Sequence, residues 1–240
     1  METLCDLVAR DRRSERPALR IPGVSRAYSY HDVCTTAWKA GNALRYLGVG
    51  RGRRVELDDD PFVAPVVTFF GALLLGAETS FVPGEGEARA VVVRRSREAE
   101  FDDLPPGRKL VVYGGPPSSP TVAHWERDVW SENPSFPPVA VAPTDPALVT
   151  DGRAYAHADL LAAARRVVDR FGLDADGDVA VRAPLRRPGT VAAGLVAPLL
   201  AGGTIVFPDP DAGGERVCDL GVGTDCPDAA EIAPDAVELD

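Results

Sequence analysis

The segment Asp145–Ala164, DPALVTDGRAYAHADLLAAA, decides how the rest of the chain is interpreted. It begins with a short apolar run, breaks at Thr150, Asp151 and Gly152, and continues into a pattern typical of a helix. A junction between a strand and a helix is a common place to hold a phosphate, because backbone N–H groups there point at the anion. Such a site needs a loop rich in glycine and hydroxyl residues, usually with a lysine. Here the break is very short and contains an aspartate.

Strands and helices alternate on the N-terminal side of this segment. The stretch ALRIPGVSRAYSY predicts two short strands around a turn at Pro22 and Gly23, since a Pro-Gly pair favours a turn. Ser29 and Asp32 form a variant of the capping box and predict the start of a helix. That helix is predicted to end at Gly48, a natural C-cap.

The alternation continues along the chain. Further strands are predicted at RRVEL, TSFVP, ARAVVV, KLVVY, DVAVRA and TIVF. Further helices are predicted from Pro61 to Leu75, from the break at Gly152 to Phe171 and around Thr190 to Leu200. The run Asp58, Asp59 and Asp60 is interpreted as the end of a strand, with Asp60 capping the helix that follows. This order predicts an α/β fold with a mainly parallel sheet and helices on both faces. We expect one domain over residues 1–207 and an acidic tail containing glycine and proline over residues 208–240.

The charge composition indicates the setting and excludes some partners. The formal net charge is -10, which argues against nucleic acid and anionic membranes as partners. Lys39 and Lys109 are the only lysines, and aspartate outnumbers glutamate. An excess of carboxylates is typical of proteins adapted to high salt, so the sequence predicts a halophilic, archaeal protein of the cytoplasm. The alternative is an acidic bacterial protein from a GC-rich genome.

Neither a metal site nor a membrane span is predicted. The four cysteines, which form no CxxC pair, are interpreted as reduced thiols; they are Cys5, Cys34, Cys218 and Cys226. His31 and His124 are interpreted as surface histidines. The uncharged runs Pro61–Ala77 and Pro188–Pro208 are too short or too interrupted by glycine and proline to span a bilayer, so we expect buried helix-and-strand units.

The order of these elements resembles the N-terminal portion of the AMP-forming acyl-CoA synthetase family, the adenylate-forming ligases. The resemblance spans about Glu15 to Asp211. The matching pieces are, in order, RPALRI, YSYHDV, GNALRYLGVGRGRRVEL, FFGALLLGAETSFVP, DPALVT, HADLLAAA and APLLAGGTIVFPDP. It implies activation of a carboxylic acid with ATP and Mg²⁺, followed by transfer of the acyl group to a thiol, usually coenzyme A.

The resemblance also shows where this chain departs from the family. The family holds the ATP phosphates in a loop of the form T-S-G-T-T-G-x-P-K. Setting Gly152 against the glycine that closes the family loop after the lysine, and His157 and Leu160 against the histidine and leucine of the following T-H-x-N-L, leaves about seven loop residues missing. Asp151 then stands where the lysine belongs. Thr150, Gly152 and His157 remain as the candidate cofactor-binding residues of a vestigial phosphate-loop region, and no catalytic residue is assigned.

Two further differences separate the chain from the family. Arg186 and Arg187 occupy the region where the family often has a histidine after a Pro-Leu pair. The chain has roughly half the family's length or less, and residues 208–240 contain none of its later adenine-binding, Mg²⁺-binding or catalytic-lysine motifs.

Two hypotheses follow from the sequence. The first is a catalytically inactive derivative that keeps the scaffold as a binding or regulatory module with a protein partner. The second is a split or reduced acyl-adenylating ligase that activates a small carboxylic acid with ATP, together with a second synthetase chain and coenzyme A.

Overall fold

The computed structural model describes residues 1–84, 86–209 and 217–239. The strands are β1 Pro17–Ile21, β2 Arg26–Ser29, β3 Arg54–Leu57, β4 Glu78–Ser80, β5 Ala90–Arg94, β6 Lys109–Tyr113, β7 Ala123–His124, β8 Pro146–Thr150, β9 Arg153–Ala156, β10 Asp178–Val181, β11 Thr204–Val206, β12 Leu220–Val222 and β13 Glu231–Ile232. The helices are α1 Tyr30–Tyr46, α2 Val63–Leu73, α3 Trp125–Trp130, α4 His157–Phe171, α5 Pro188–Thr190 and α6 Ala197–Ala201, with a π-helical segment Val191–Val196 between the last two.

The chain divides into two compact units rather than the predicted domain and tail. The first unit combines Met1–Cys34 with Ala156–Asp240, and the second unit is Thr35–Tyr155. Helix α1 begins in the first unit and ends in the second. Residues 210–216, which belong to the predicted tail, lie outside the described residues.

The first unit is built on a six-stranded sheet in the order β13-β12-β10-β11-β1-β2. Its strands pair in parallel except for the hairpin β1–β2, which is antiparallel as the sequence predicts. Strand β10 lies centrally and is buried along its length, as expected of a parallel strand covered on both faces. The side chain of Tyr30 donates a hydrogen bond to the carbonyl oxygen of Gly203 at 2.8 Å.

The second unit contains a seven-stranded sheet in the order β7-β6-β5-β3-β4-β8-β9. The pairs from β7 to β8 are parallel, with β3 between β4 and β5. Successive residues of β5 and β6 face opposite sides of the sheet. One face carries an apolar cluster formed by Ala88, Val91, Val93, Phe101 and Val112.

Helices α1 and α2 of the second unit approach each other through glycines. A Cβ atom added to Gly71 would lie 2.7 Å from the Ala37 carbonyl oxygen and 2.7 Å from the Gly41 nitrogen. A Cβ atom added to Gly41 would lie 2.8 Å from the carbonyl oxygen of Gly71. The two backbones therefore meet at a distance that only glycine allows.

The local signals at the start of the chain are confirmed. The backbone N–H of Ser29 donates to the Asp32 carboxylate at 2.9 Å, and the backbone N–H of Asp32 donates to Ser29 Oγ at 3.1 Å. This reciprocal pair is the predicted capping box of α1. Gly48 follows α1 with a φ of 83°, as expected of a glycine that ends a helix.

Four sequence predictions are corrected. A second strand, β9, separates β8 from α4, where the sequence predicted a direct passage into a helix. Helix α2 begins at Val63 with Phe62 as its N-cap, so Asp60 does not cap it. The proline-rich stretch 116–143, where the sequence predicted neither a helix nor a strand, contains β7 and α3. The predicted tail carries β12, β13 and a short 3₁₀ helix, and β12 pairs with β10.

Both uncharged runs considered as membrane spans form helices and strands of the two units. Residues 63–73 of the first run form α2, and most of the second run forms the helical stretch from Pro188 to Ala201 and β11. In the described parts of the chain, no helix is both long and apolar enough to cross a bilayer.

Candidate functional site

The segment that separates β8 from β9 is a two-residue hairpin turn. Asp151 has a φ of 48° and Gly152 a φ of 75°, both in the left-handed region. Two consecutive central residues with positive φ are the signature of a type I′ turn, and Asp-Gly is one of its preferred sequences. Thr150 is buried at the end of β8, whereas both turn residues are exposed. The tight turn therefore continues the sheet of the second unit directly from β8 into β9.

His157 lies in the first unit and is the first residue of α4. Its side chain is fully buried, and its Nδ1 accepts a hydrogen bond from the backbone N–H of Leu4 at 3.2 Å. Because Nδ1 is the acceptor, the neutral ring carries its proton on Nε2. The imidazole thus connects the N-terminal 3₁₀ helix Leu4–Val8 to α4.

The start of α4 has its own local hydrogen bond. Its N-cap residue is Ala156, and Asp159 accepts the Ala156 backbone N–H at 2.8 Å. A carboxylate in the first turn also complements the positive end of the helix. The carboxylate of Asp159 therefore already occupies the end of α4 where the sequence predicted a vestigial phosphate-loop region.

Carboxylates from the acidic run after β3 are held by arginines and a tyrosine. Asp58 is 2% exposed, accepts the backbone N–H of Arg94 at 2.7 Å and pairs with the guanidinium of Arg97. Asp60 pairs with Arg94 at 2.7 Å and accepts the hydroxyl proton of Tyr113 at 2.8 Å. Burial and the charges of Asp60 and Asp58 raise the pKa of Tyr113, so this phenol stays protonated and keeps donating. These contacts join β3, β5 and β6 at their carboxyl ends.

The remaining residues that the sequence singled out have ordinary contacts. Arg187 pairs with Asp235 at 3.0 Å in an exposed ion pair of the first unit. His31 is exposed, whereas His124 is half-buried and lies 3.2 Å from Glu126, a partner that the sequence prediction overlooked. All four cysteines are free thiols, in agreement with the sequence interpretation.

Comparison with known proteins gives a consistent result for the fold. No family model matches the chain, and no curated protein matches it either. Among solved structures, an anthranilate CoA ligase crystallised with anthranoyl-AMP superposes with a TM-score of 0.76 at 21% identity, covering 88% of this chain and 45% of the ligase. A benzoate CoA ligase from Burkholderia xenovorans LB400 gives 0.71 at 22% identity, covering 85% and 45%.

The chain has the fold of the N-terminal portion of acyl-CoA ligases. The ATP-bound structure of MatB from Rhodopseudomonas palustris agrees, with a TM-score of 0.72 at 16% identity and coverage of 86% of this chain and 45% of MatB. The resemblance inferred from the order of sequence elements is thereby confirmed at the level of the fold. The chain spans a little less than half the length of these ligases.

Within this acyl-CoA ligase fold, the turn residues do not fit an ATP phosphate group. A phosphate loop approaches its ligand with closely packed backbone, which glycines permit. A Cβ atom added to Gly152 would meet nothing within 4 Å, so this glycine faces open space and forms no cradle. The carboxylate of Asp151 is exposed beside it. In residues 1–84, 86–209 and 217–239, no group of three or more histidine, cysteine, aspartate or glutamate side chains is arranged to hold a metal ion.

The structure of this ligase-like chain also reveals a cavity that the sequence did not predict. It lies in the second unit, has a volume of about 250 Å³ and is bounded by α1, α3 and the strands β5 and β6. Trp125 and Thr68 line it, and the indole N–H of Trp125 donates to Thr68 Oγ1 at 2.8 Å. The only signal in the sequence was the pair of tryptophans in the stretch WERDVW, which the surrounding prolines obscured.

Proposed function

We propose that this chain is a non-catalytic relative of the acyl-CoA ligases, which keeps their N-terminal scaffold as a binding or regulatory module with a protein partner. The observation that carries the proposal is the type I′ turn at Asp151 and Gly152, which stands where the resemblance expects the ATP phosphate loop. A two-residue turn supplies few backbone N–H groups. A phosphate loop instead surrounds its anion with many of them.

Electrostatics supports the loss of ATP binding. A carboxylate about 4 Å from a phosphate adds repulsion of about 1 kcal/mol in bulk water, and more where water is partly excluded. A lysine at the same position would attract the phosphate by a comparable amount. Replacing one by the other therefore changes the sign of the local interaction, in addition to the charge-assisted bonds lost with the loop.

The residues after β10 favour the same conclusion. The resemblance places Arg186 and Arg187 where the ligases often have a histidine near the bound carboxylate. In this chain Arg187 is engaged with Asp235 in an ion pair at the surface. A salt bridge of this kind contributes a local contact and supplies no group that could hold or move a proton during acyl activation.

A second candidate is a split or reduced acyl-adenylating ligase. It is favoured by the extent of the fold match, which covers 85% or more of the chain in the anthranilate and benzoate CoA ligases. On this hypothesis a second chain contributes the ATP and Mg²⁺ contacts that Thr150, Gly152 and His157 do not provide. The substrates are then a small carboxylic acid and coenzyme A.

One experiment separates the two candidates. The purified chain is assayed for exchange of pyrophosphate into ATP with a panel of aromatic and aliphatic carboxylic acids, alone and with a chain that carries the remaining ligase segments. The inactive module predicts no acid-dependent exchange in either case. Exchange that appears only with the second chain supports the split ligase, and exchange by the chain alone contradicts the proposal. The benzoate CoA ligase serves as the positive control.

The proposed setting is the salt-rich cytoplasm of a halophilic archaeon. It rests on the net charge of -10 and on the use of only two lysines among 26 basic residues. Neither nucleic acid nor an anionic membrane is a partner in this proposal, because both would repel such a surface.

A further inference from the structure

The cavity of the second unit has an apolar interior and a polar mouth. Its floor is formed by Val92 of β5 and Val111 of β6, on the face of the sheet opposite the apolar cluster. Leu44 of α1, Val129 of α3 and Trp125 line its sides. All five side chains are buried. Such a surface is suited to the body of an apolar ligand.

The mouth of the cavity is acidic. The polar lining residues that remain exposed or half-buried are Tyr46, Asp128, Ser131 and Glu132, and the apolar residues Ala43, Leu47 and Ala123 are half-buried beside them. Among the described residues that line the cavity, Asp128 and Glu132 have carboxylate side chains and none is a lysine or an arginine.

The two carboxylates differ in their partners. Asp128 pairs with Arg127 at 2.6 Å and accepts the backbone N–H of His124 at 3.0 Å, so its charge is already matched. Glu132 accepts a hydrogen bond from the neutral amide of Asn42 at 2.6 Å. Across the described part of the chain, no cation forms an ion pair with Glu132.

The cationic side chains near this mouth donate their hydrogen bonds to acceptors other than Glu132. Arg45 donates to Asn42 Oδ1 at 3.0 Å and stacks over the ring of Tyr46, with 4.8 Å between its guanidinium carbon and the ring centroid. Lys39 donates to the carbonyl oxygen of Trp130 at 2.8 Å. An ammonium group entering the mouth would therefore meet Glu132 as an available carboxylate, with aromatic rings close by.

We propose that this cavity binds a small hydrophobic amine, with its apolar body against Val92, Val111 and Trp125 and its ammonium group at Glu132. The volume is suitable, because an apolar cavity of about 150 Å³ is known to hold benzene and this one, at about 250 Å³, has room for a ring with a short chain. The cavity does not involve Thr150, Gly152 or His157, so the inference goes beyond the proposed function and is independent of it.

The test compares three probes that share an aromatic ring and differ in charge. Phenethylamine, phenethyl alcohol and phenylacetate are titrated into the full chain, and binding is followed by calorimetry and tryptophan fluorescence. We expect saturable binding of the amine, and affinities at least about tenfold weaker for the alcohol and the acid, because a hydrogen bond to a charged group is worth about tenfold or more.

Matched variants locate the site. Glu132→Gln keeps the shape and is expected to weaken amine binding about tenfold while leaving the alcohol unchanged. Glu87→Gln removes the same charge from an exposed position of the same unit outside the cavity, and is expected to change neither. Ala43→Leu fills the cavity and is expected to abolish binding of every probe. Ala123→Leu replaces it if Ala43→Leu does not fold, as judged by circular dichroism.

The proposal is overturned by any of four results. They are the absence of saturable amine binding, equal affinities for the three probes, unchanged amine affinity in Glu132→Gln, and binding that persists in a folded cavity-filling variant. Tighter binding of phenylacetate than of phenethylamine would assign the cavity to an anion and would also reject the amine.

Discussion

Replacing Gly152 by alanine tests the hairpin turn directly. Gly152 has a φ of 75°, and a left-handed conformation costs an L-residue about 1–2 kcal/mol. A new Cβ atom would meet nothing within 4 Å, so no steric contact adds to this cost. Alanine also restricts the unfolded chain, which offsets about 0.4–1 kcal/mol. We therefore expect Gly152→Ala to lower the free energy of unfolding of the second unit by about 1 kcal/mol.

Two variants serve as controls for this experiment. Gly50 also has open space around it, but its φ is not in the left-handed region, so Gly50→Ala is expected to stabilise by about 0.4–1 kcal/mol. Asp151 has a φ of 48°, which asparagine tolerates well, so Asp151→Asn is expected to be close to neutral. The difference between the two glycine variants thus isolates the effect of the positive φ.

Urea unfolding followed by tryptophan fluorescence is the appropriate assay. The three tryptophans of the chain, Trp38, Trp125 and Trp130, all lie in the second unit, so their emission reports on the unit that contains the turn. A change of about 1 kcal/mol shifts the urea midpoint by about 0.3–1 M, which is readily measured. If Gly152→Ala were no less stable than Gly50→Ala, the segment would not be a type I′ turn, and the account of the missing phosphate loop would lose its basis.

Three further predictions concern packing, pH and salt. Gly71→Ala places a Cβ atom 2.7 Å from the Ala37 carbonyl oxygen and is expected to destabilise the second unit by about 1–3 kcal/mol in the same urea assay; an unchanged midpoint would contradict the close approach of α1 and α2. Burial raises the pKa of Glu98, but hydrogen bonds from Ser118 and the charge of Arg95 outweigh burial and hold that pKa below its usual range. The ionised carboxylate therefore stabilises the fold at pH values above the pKa of the unfolded state, about 4.3, and this contribution is lost as the pH falls through the lower pKa of the folded state. Glu98→Gln should accordingly destabilise at neutral pH, with a difference from the parent that shrinks in acid; a constant difference would reject the assignment. Raising KCl from about 0.1 M to about 2 M is expected to raise the unfolding midpoint by screening the net charge of -10, and a falling midpoint would argue against adaptation to salt.

Local signals were sufficient to predict much of the fold. The capping box of Ser29 and Asp32 and the C-cap at Gly48 depend on neighbours within a few residues, so the sequence alone contains them. Strands β5, β6 and β10 each contain a continuous run of apolar residues, which is typical of the strands of a parallel sheet covered on both faces.

The elements that the sequence prediction missed are short and depend on distant partners. Strands β12 and β13 have three and two residues, and they exist because β12 pairs with β10 and β13 pairs with β12. Helix α3 has six residues between proline-rich flanks, and its periodicity is too brief to be recognised. Neither the buried position of Trp125 nor the cavity beside it follows from local sequence.

The candidate site was predicted in position but not in conformation. The sequence prediction interpreted Thr150, Asp151 and Gly152 as what remains of a loop before a helix, whereas Asp-Gly between two runs of strand-type residues is a strong hairpin signal. The four residues after Gly152 form β9, and only then does α4 begin at His157. The resemblance indicated how many loop residues are missing, but it did not indicate that the remaining residues form a hairpin turn.

The central claim is that the segment between β8 and β9 does not hold the phosphates of ATP. Calorimetric titration of the chain with Mg²⁺ and ATP at high salt tests it most directly, with the MatB protein from Rhodopseudomonas palustris, which has been crystallised with ATP, as the positive control. The account predicts no saturable heat for this chain up to millimolar ATP under conditions where the control binds. Stoichiometric binding of ATP or of an acyl-adenylate analogue that is altered by substitutions at Asp151 or Gly152 would contradict it.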